Sequence, residues 1–381
     1  MKSICGVAGV TAAGIKEGKY GLALIQASGN SAAVFTQNKA RAPVIDLMAE
    51  RMKKNRLEGI IANSGCANAY TGRRGMEDAI RMAEIGGEAL GIDPMNIGVA
   101  STGVIGRYLN LDLIEKQAGS LSLSSSEEAE IQAARAIMTT DLVEKHAFLQ
   151  GESFAVGGIA KGSGMIAPNM ATMLGFIYTD AEIAQPDLQP ILKRAVSRSF
   201  NRTIVDGDVS TNDCVFLTAT GEAGAVPLKE FEEGLTAACI HLAKAIARDG
   251  EGATKLIEVI VSGARNESDA EKVAKAVVTS PLVKTAVYGQ DPNWGRVVAA
   301  AGYAGVDFEI PDLSLWIGGG GEKTPLVQKG EITADLAAAK AAMRGDTVIF
   351  SIDLDSGDAG ATAWGCDLTE KYVEINGKYT T

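Results

Sequence analysis

The sequence predicts an α+β fold in which helices cover mixed β-sheets, and three features of the 381-residue chain indicate this class. Strand-like apolar runs alternate with amphipathic helical runs along most of the chain. Some strands follow one another without a helix, most clearly around Gly318–Gly321 in the C-terminal third. Because a doubly wound parallel sheet needs a helix after each strand, we expect layered mixed sheets, and the length allows two lobes.

The elements follow from hydrophobic periodicity and from the glycines and polar residues that interrupt it. Short apolar runs predict strands at Leu57–Ala62, Ile97–Ser101, Phe154–Ile159, Met173–Tyr178, Asp213–Ala219, Lys255–Val261, Val306–Ile310, Leu313–Ile317 and Val348–Leu354. Longer runs with apolar residues three and four apart predict helices at Gly75–Leu90, Ser126–Met138, Pro186–Phe200, Glu230–Arg248, Asp269–Val278, Trp294–Ala304 and Ala334–Met343. A serine at 124, 125 or 126 is expected to cap the second of these helices.

Composition excludes several classes of partner. The net charge of −11 argues against nucleic acid and against an anionic membrane surface. The N-terminal segment MKSICGVAGV lacks the apolar core of a secretory signal, and no stretch of 18 apolar residues occurs, so we expect a cytoplasmic location. The five cysteines form no CxxC pair, and we expect free, mostly buried thiols.

Histidine is scarce, with His146 in a polar connection and His241 in a helical run. Neither lies near a serine or cysteine in a recognisable nucleophile elbow, and no multi-histidine cluster can form. This argues against most His-based hydrolases and zinc enzymes. We expect no metal and no cofactor, so catalysis needs a different base.

The segment Lys161–Asp180, KGSGMIAPNMATMLGFIYTD, offers such a base. A threonine hydroxyl within a chain is a poor nucleophile, whereas an N-terminal threonine has its own α-amine, whose pKa is about 7.7–8.0 in peptides. Cleavage between Ala171 and Thr172 would create that terminus. On its own, Ala-Thr also fits the plain start of a buried strand.

Five motifs in one order resemble the ornithine acetyltransferase family, also called bifunctional glutamate N-acetyltransferase. They are ATML at the predicted cleavage site, NSGCANAYTG at Asn63–Gly72, STGVIG at Ser101–Gly106, DGDVSTND at Asp206–Asp213 and QDPNWGR at Gln290–Arg296. The similarity covers essentially the whole chain. It implies a precursor that splits before Thr172 into an α fragment of residues 1–171 and a β fragment of residues 172–381. It also implies two α/β lobes of the N-terminal-nucleophile type around a cleft.

The loop Ser101–Gly106 is the candidate oxyanion hole. It follows an apolar strand, and Gly103 and Gly106 allow backbone N–H groups to face a ligand. The Thr102 hydroxyl and the Gly103 N–H are the pair we expect, and the family has its oxyanion hole at these positions. Without the resemblance, the segment also fits an ordinary strand–helix turn.

Two charged residues are candidate substrate ligands. Lys161 lies in a glycine-rich stretch and could pair with a carboxylate, although most loop lysines face solvent. Glu251, in RDGEGATK, could bind an ammonium group, although a surface glutamate at a helix exit fits as well. The family's substrate-contacting glutamate falls on Glu251.

The resemblance adds substrate contacts at the T-T-D break and at the C-terminus. A threonine of that break contacts substrate in the family, and Thr140 is favoured over Thr139. The family's C-terminal asparagine and final hydroxyl residue match Asn376 and Thr381, where a frayed tail would otherwise be expected.

Two polar motifs have supporting roles. The three aspartates of Asp206–Asp213 lack the glycine and glutamate of an EF-hand, so this segment is expected to form turns and to support the site by hydrogen bonds. DPNWGR fits a capped helix start, and Asp291 or Asn293 is also a candidate to orient the new threonine amine.

By resemblance, the chain transfers the acetyl group of N-acetylornithine to glutamate through an acetyl-Thr172 ester, in arginine biosynthesis. Two copies of each fragment are expected to assemble, and some members also accept acetyl-CoA. The alternatives are a self-cleaving aminopeptidase or amidase, in which water takes the acyl group, and a non-catalytic metabolite-binding protein that stays uncut.

Overall fold

The computed structural model describes residues 2–54, 56–167, 173–319 and 322–378. The chain divides into two compact units, one within residues 2–201 and 208–242 and the other within residues 202–207 and 243–378. These limits differ from the fragments expected from cleavage, because the predicted cleavage site lies inside the first unit. No helix in the described ranges is long and apolar enough to span a bilayer.

The strands are β1 Thr11–Glu17, β2 Tyr20–Phe35, β3 Arg56–Cys66, β4 Ile97–Val104, β5 Lys145–Gln150, β6 Ala155–Lys161, β7 Leu174–Glu182, β8 Thr203–Ile204, β9 Cys214–Ala225, β10 Leu256–Ala264, β11 Ser314–Gly319, β12 Glu322–Gln328, β13 Glu331–Ile332, β14 Thr347–Asp353 and β15 Ala359–Cys366. The α-helices are α1 Pro43–Arg51, α2 Gly72–Leu90, α3 Leu111–Ser120, α4 Glu127–Ile137, α5 Gln185–Ser197, α6 Leu228–Arg248, α7 Glu267–Thr279, α8 Pro281–Tyr288, α9 Trp294–Gly302, α10 Leu336–Ala342 and α11 Glu370–Lys378.

The first unit contains a mixed sheet in the order β4-β3-β2-β9-β7-β6-β5, and β1 pairs with β2. The β3–β4 and β7–β9 pairs are parallel, and the other pairs are antiparallel. Its core contains apolar side chains from the sheet and from α1, α2 and α4. The strand ends of this sheet support the candidate oxyanion loop.

Helix α4 packs closely against the β1–β2 hairpin. A Cβ at Gly14 would lie 2.3 Å from the Gln132 carbonyl oxygen, and one at Gly21 would lie 2.1 Å from that of Ala136. Glycines on these strands therefore allow the helix backbone to contact the sheet directly. Ser126 caps α4 by accepting a hydrogen bond from the Ala129 N–H at 3.2 Å, as expected for one of the three serines.

The second unit contains another mixed sheet, in the order β13-β12-β11-β14-β10-β15-β8. The β10–β14 and β15–β8 pairs are parallel, and the remaining pairs are antiparallel. Apolar side chains from α7, α8, α9 and α10 complete its core. The expected α+β class with mixed sheets is confirmed.

Most predicted elements are present, but one predicted strand is absent and the expected location of His146 is wrong. Val306–Ile310 is irregular instead of a strand. Val306 and Phe308 pack against the core of the second unit, so their apolar alternation reflects packing without strand pairing. His146, expected in a connection, lies buried on β5, with its Nδ1 3.0 Å from the Ser3 hydroxyl. All five cysteines are free thiols, and four are buried, as expected.

Candidate active site

The candidate oxyanion loop lies at the end of β4, where this strand pairs with β3. Thr102 is opposite Ser64 in the parallel register, and Gly103 is opposite Gly65. Thr102 is buried, and Gly103 has a φ of +128°. A Cβ at Gly103 would lie 2.4 Å from the Gly65 carbonyl carbon, so only glycine fits there. The two residues predicted as oxyanion donors therefore lie on β4 itself, and only residues 105–106 of the expected loop form a turn.

The NSGCANAYTG motif ends β3 at Cys66, continues through the loop of residues 67–71 and begins α2 at Gly72. Asn68 and Tyr70 have φ values of +49° and +59°, which non-glycine residues rarely adopt. The Asn68 side-chain amide donates to the Gly75 carbonyl at 2.7 Å, and the Thr71 hydroxyl donates to the Asn68 carbonyl at 3.1 Å. A backbone hydrogen bond of 2.9 Å, from the N–H of residue 106 to the carbonyl of residue 69, joins this loop to the oxyanion loop.

Asn212, in the DGDVSTND motif, joins the ends of β3 and β4. Its side-chain amide donates to the Ala67 carbonyl at 2.6 Å and to the Ser101 carbonyl at 3.0 Å. Ser101 directly precedes Thr102 on β4, so Asn212 binds the backbone next to the candidate oxyanion donors. The expectation that this motif supports the site by hydrogen bonds agrees with these contacts.

The next residue in this motif, Asp213, holds the start of the segment that follows the predicted cleavage site. Its Oδ1 accepts the Met173 N–H at 2.9 Å, and its carboxyl group is buried. The Met173 nitrogen belongs to the peptide bond with Thr172. Ala171 and Thr172 themselves lie outside the described residues.

Lys161 is the last residue of β6, and it is buried instead of facing solvent from a loop. Burial lowers its pKa, while the nearby carboxylates of Asp141 and Asp213 favour its charged form. Sequence reasoning missed this burial, because the glycines around Lys161 suggest a loop. Strand β6 pairs with β5 on one side and with β7 on the other, where Lys161 is opposite Leu174.

Asp141, the acidic residue of the T-T-D break, organises the surroundings of Lys161. Its Oδ1 accepts the Lys145 ammonium at 2.7 Å and the Gly162 N–H at 2.7 Å, and its Oδ2 accepts the Thr139 N–H at 3.0 Å. Burial alone would raise the Asp141 pKa, but the charges of Lys145 and Lys161 hold this pKa below its ordinary value.

The two candidate threonines of the break differ in exposure, since Thr139 is exposed and Thr140 is half-buried.

Lys16 on β1 borders the same break, because its ammonium donates to the Met138 carbonyl at 2.5 Å and to the Ser64 hydroxyl at 2.7 Å. Burial lowers the pKa of Lys16 to about 8, although Asp141 opposes this change. The sequence did not predict that Lys16 and Lys145 lie beside the T-T-D break, because single lysines at strand positions belong to no recognisable motif.

Two other candidate ligands meet in the second unit. Glu251 is buried just beyond α6, and its Oε2 accepts the Asn376 side-chain amide at 2.7 Å. Asn376 lies on α11, so this part of the C-terminus is helical instead of frayed. A Cβ at Gly252, where φ is +73°, would lie 2.6 Å from the Tyr372 nitrogen, so glycine allows α11 to contact this loop. Thr381 lies outside the described residues.

The remaining motif, DPNWGR, starts α9 in the second unit. Asn293 caps the helix by accepting the Arg296 N–H at 3.3 Å, and its amide donates to Asp291 at 3.1 Å. The expected capped helix start is present. Within the described ranges, no group of three or more His, Cys, Asp or Glu residues could hold a metal ion.

A buried threonine next to a positive-φ glycine at the end of β4, in a unit that also buries a lysine and its carboxylates, suits an enzyme that transfers acyl groups. The family model described as the ArgJ family matches residues 7–381. The chain belongs to the ArgJ family, which confirms the resemblance seen in its motifs, and it is an acyltransferase of that family.

Relatives and a solved structure agree with this assignment. The glutamate N-acetyltransferase of Methanosarcina mazei is 52% identical, over 99% of this chain and 98% of its own length. The arginine biosynthesis bifunctional protein ArgJ of Archaeoglobus fulgidus is 45% identical, over 99% of this chain and 100% of its own. A crystal structure of ArgJ from Bacillus halodurans matches with a TM-score of 0.50 and 44% identity, covering 52% of this chain and 96% of its own.

Proposed function

We propose that this chain cleaves itself before Thr172 and then transfers the acetyl group of N2-acetyl-L-ornithine to L-glutamate, in arginine biosynthesis. The observation that carries the proposal is the Asn212–Asp213 pair. Asn212 binds the carbonyl preceding Thr102, while Asp213 binds the amide following Thr172. One dipeptide therefore links the candidate oxyanion donors to the segment of the candidate nucleophile.

Cleavage begins when the Thr172 hydroxyl attacks the Ala171 carbonyl carbon and forms an ester, with the Thr172 nitrogen as leaving group. Water then hydrolyses this ester, which gives the Ala171 carboxylate and restores the hydroxyl. The released α-amine is a base next to that hydroxyl. This step creates fragments of residues 1–171 and 172–381.

Acetyl transfer uses the same hydroxyl twice. It attacks the acetamide carbonyl of N-acetylornithine, its proton passes to the α-amine, and ornithine leaves with a proton on its nitrogen. The Thr102 hydroxyl and the Gly103 N–H stabilise the oxyanion. The glutamate amine then attacks the acetyl-Thr172 ester, which releases N-acetylglutamate and regenerates the hydroxyl.

The charged residues suit the two ends of the donor. Lys161 is a buried lysine, and a substrate α-carboxylate beside it would favour its charged form. Glu251 and Asn376 together would receive the distal ammonium, with Thr381 completing that end. Thr140 is the expected hydroxyl contact of the T-T-D break, and Thr139 is the second choice. The glutamate side chain must turn away from Glu251 to avoid like-charge repulsion.

The sheet of the first unit explains how the fragments would remain together. Strand β6 belongs to the α fragment and pairs antiparallel with β7 of the β fragment, from Val156↔Thr179 to Lys161↔Leu174. Strands β2 and β9 also pair across the two fragments. The cut would open only the connection between paired strands, so we expect the fragments to copurify until a denaturant is added.

The Bacillus halodurans ArgJ chain supports cleavage by its length. Nearly all of that chain is covered, yet it spans only 52% of this one, as a fragment of a split precursor would. Two copies of each fragment, a cytoplasmic location and acetyl-CoA as a second donor are further parts of the proposal.

Intact mass measurement of the wild type and of Thr172→Ala tests the proposal. We expect two polypeptides from the wild type, split after Ala171, and one from the variant. Thr285→Ala is a matched control, because Thr285 is exposed on α8 and its hydroxyl donates to carbonyls of that same helix. Cleavage of Thr172→Ala at the same bond would overturn the mechanism, and a single 39.6 kDa wild-type chain would favour a non-catalytic binding protein.

A second assay separates transfer from hydrolysis. We expect ornithine release to depend on added glutamate and to yield N-acetylglutamate in equal amount. Equal rates of ornithine release with and without glutamate, together with free acetate, would instead support an amidase.

A further inference from the structure

Asp213 has one carboxylate oxygen whose role the structure leaves unexplained. Its Oδ1 accepts the Met173 N–H at 2.9 Å. Its Oδ2 is buried and has no hydrogen-bond partner among the described residues, although the whole residue is only 1% exposed. Because buried polar atoms are almost always hydrogen-bonded, an unpaired carboxylate oxygen indicates a ligand or a functional state.

The polar surroundings of Asp213 do not supply this partner. Lys161 favours the ionised carboxylate by its charge and the Ser210 hydroxyl by a hydrogen bond to the carboxyl group, yet Oδ2 itself has no hydrogen-bond partner in the described part of the chain. Burial raises the pKa of Asp213 well above its ordinary value, and these groups and the Met173 N–H only partly oppose this. A further N–H donor or a second cation at Oδ2 would stabilise the ionised carboxylate.

Covalent geometry identifies a donor of the right kind. The Met173 nitrogen is separated from the α-nitrogen of Thr172 by only about three bonds along the backbone. Bond lengths therefore allow a carboxylate that binds the first nitrogen with one oxygen to accept from the second nitrogen with its other oxygen. In the uncut chain that second nitrogen is an amide with a single hydrogen, whereas cleavage would convert it to an amine with more hydrogens to donate.

We propose that Asp213 is the positioning residue of the nucleophile, holding the Met173 amide through Oδ1 and, after cleavage, the α-amine of Thr172 through Oδ2. This inference rests on the proposed cleavage before Thr172. By accepting one amine hydrogen, Asp213 fixes the rotation of the amine and leaves its lone pair to take the hydroxyl proton. Asp291 and Asn293, the earlier candidates for this role, are engaged with each other at the start of α9.

Two substitutions separate the roles of the two oxygens. Asp213→Asn retains a carbonyl oxygen for the Met173 N–H but replaces the other oxygen with a donor that cannot accept the amine, whereas Asp213→Ala removes both acceptors. Asp180→Asn is the matched control, because Asp180 accepts the Ala155 N–H at 2.7 Å on the far end of β7. Intact mass follows cleavage, and rapid-quench assays follow formation of the acetyl-enzyme.

We expect Asp213→Asn to cleave within about 10-fold of the wild-type rate. Its maximal rate of acetyl-enzyme formation should fall about 100-fold, the typical effect of a misplaced reacting group, while the donor concentration giving half that rate changes less than about threefold. Asp213→Ala should slow cleavage itself by about 100-fold. Asp180→Asn should match the wild type in both assays.

Wild-type acetylation by cleaved Asp213→Asn would overturn the inference and leave the proposed function intact. Absence of cleavage or of transfer in the wild type would instead defeat the proposed function. If Asp213→Asn does not fold, a crystal structure of the cleaved wild type decides the question. The inference requires the Thr172 α-nitrogen within hydrogen-bond distance of Oδ2, and a longer separation would refute it.

Discussion

Replacing Asp141 with asparagine should destabilise the first unit strongly, because this carboxylate balances buried charge. The Asp141 and Lys145 side chains are 0% and 1% exposed, and they form an ion pair at 2.7 Å. The same carboxylate accepts two backbone N–H groups, from Thr139 and from Gly162. The asparagine side chain would keep one acceptor atom but would leave the Lys145 ammonium without its countercharge.

The magnitude follows from the burial of the pair. Removing one partner of a buried, hydrogen-bonded ion pair costs about 3–5 kcal/mol, since the remaining charge stays out of water. Lys145 also donates to the Val143 carbonyl at 3.2 Å, which provides partial compensation and favours the lower half of that range. A loss of about 3 kcal/mol lowers the melting temperature of a domain of about 150–250 residues by roughly 6–12 °C.

Thermal unfolding followed by circular dichroism measures the loss of stability, with Asp46→Asn as the control. Asp46 forms an ion pair of similar length with Arg41, at 2.6 Å, but the Asp46 side chain is 46% exposed and the Arg41 side chain is 51% exposed. We expect less than about 1 kcal/mol from this control, as for exposed pairs in general. Equal melting temperatures for Asp141→Asn and Asp46→Asn would refute the argument that the buried pair stabilises the unit.

Three further outcomes are expected. The stability advantage of the wild type over Asp141→Asn should be complete above the unfolded-state pKa of Asp141, about 3.9. This advantage should shrink as the pH falls through the lower pKa of Asp141 in the folded state. Melting curves between about pH 7 and pH 3 would follow the change. Gly103→Ala should abolish acetyl transfer, because the added Cβ would collide with the backbone of Gly65 and Cys66. Gly119→Ala on α3, where the added Cβ has open space, should retain activity. A fully active Gly103→Ala enzyme would contradict the oxyanion assignment. Glu251→Gln should raise the KM for N-acetylornithine about 10-fold, which corresponds to the loss of one charged hydrogen bond. Glu374→Gln, at an exposed position, should leave this KM unchanged. An unchanged KM in both variants would show that Glu251 does not bind the substrate.

The sequence predicted the elements whose pattern is local. Strand β4 and helix α2 were found because a β-branched apolar run and an i, i+3, i+4 pattern are visible within one segment. Strands β1 and β2 were missed, since they contain glycine, alanine and small polar residues. Their composition follows from contact with the α4 backbone, which only the folded chain brings together.

The candidate site was predictable as a set of residues but not as an arrangement. Motifs singled out Thr102, Gly103 and Glu251, and the positive φ of Gly103 is a conformation that favours glycine. Motifs could not reveal that Lys161 is buried or that Asp141 balances two lysines, because both facts depend on strands and loops far apart in sequence. Long-range pairing creates the low-dielectric surroundings that change the chemistry of these groups.

The position of the predicted cleavage site within the sheet reconciles self-cleavage with a stable fold. Strands β6 and β7 are held by a continuous antiparallel ladder, and the predicted cut falls in the chain between them. Opening that connection removes no ladder hydrogen bond, whereas a cut within either strand would sever the sheet. The Asp213 contact lies directly after the cut, so the new terminus would remain attached to the start of β9 through the Met173 N–H. A nucleophile would therefore gain its terminal amine while the strands on both sides of the cut stay paired.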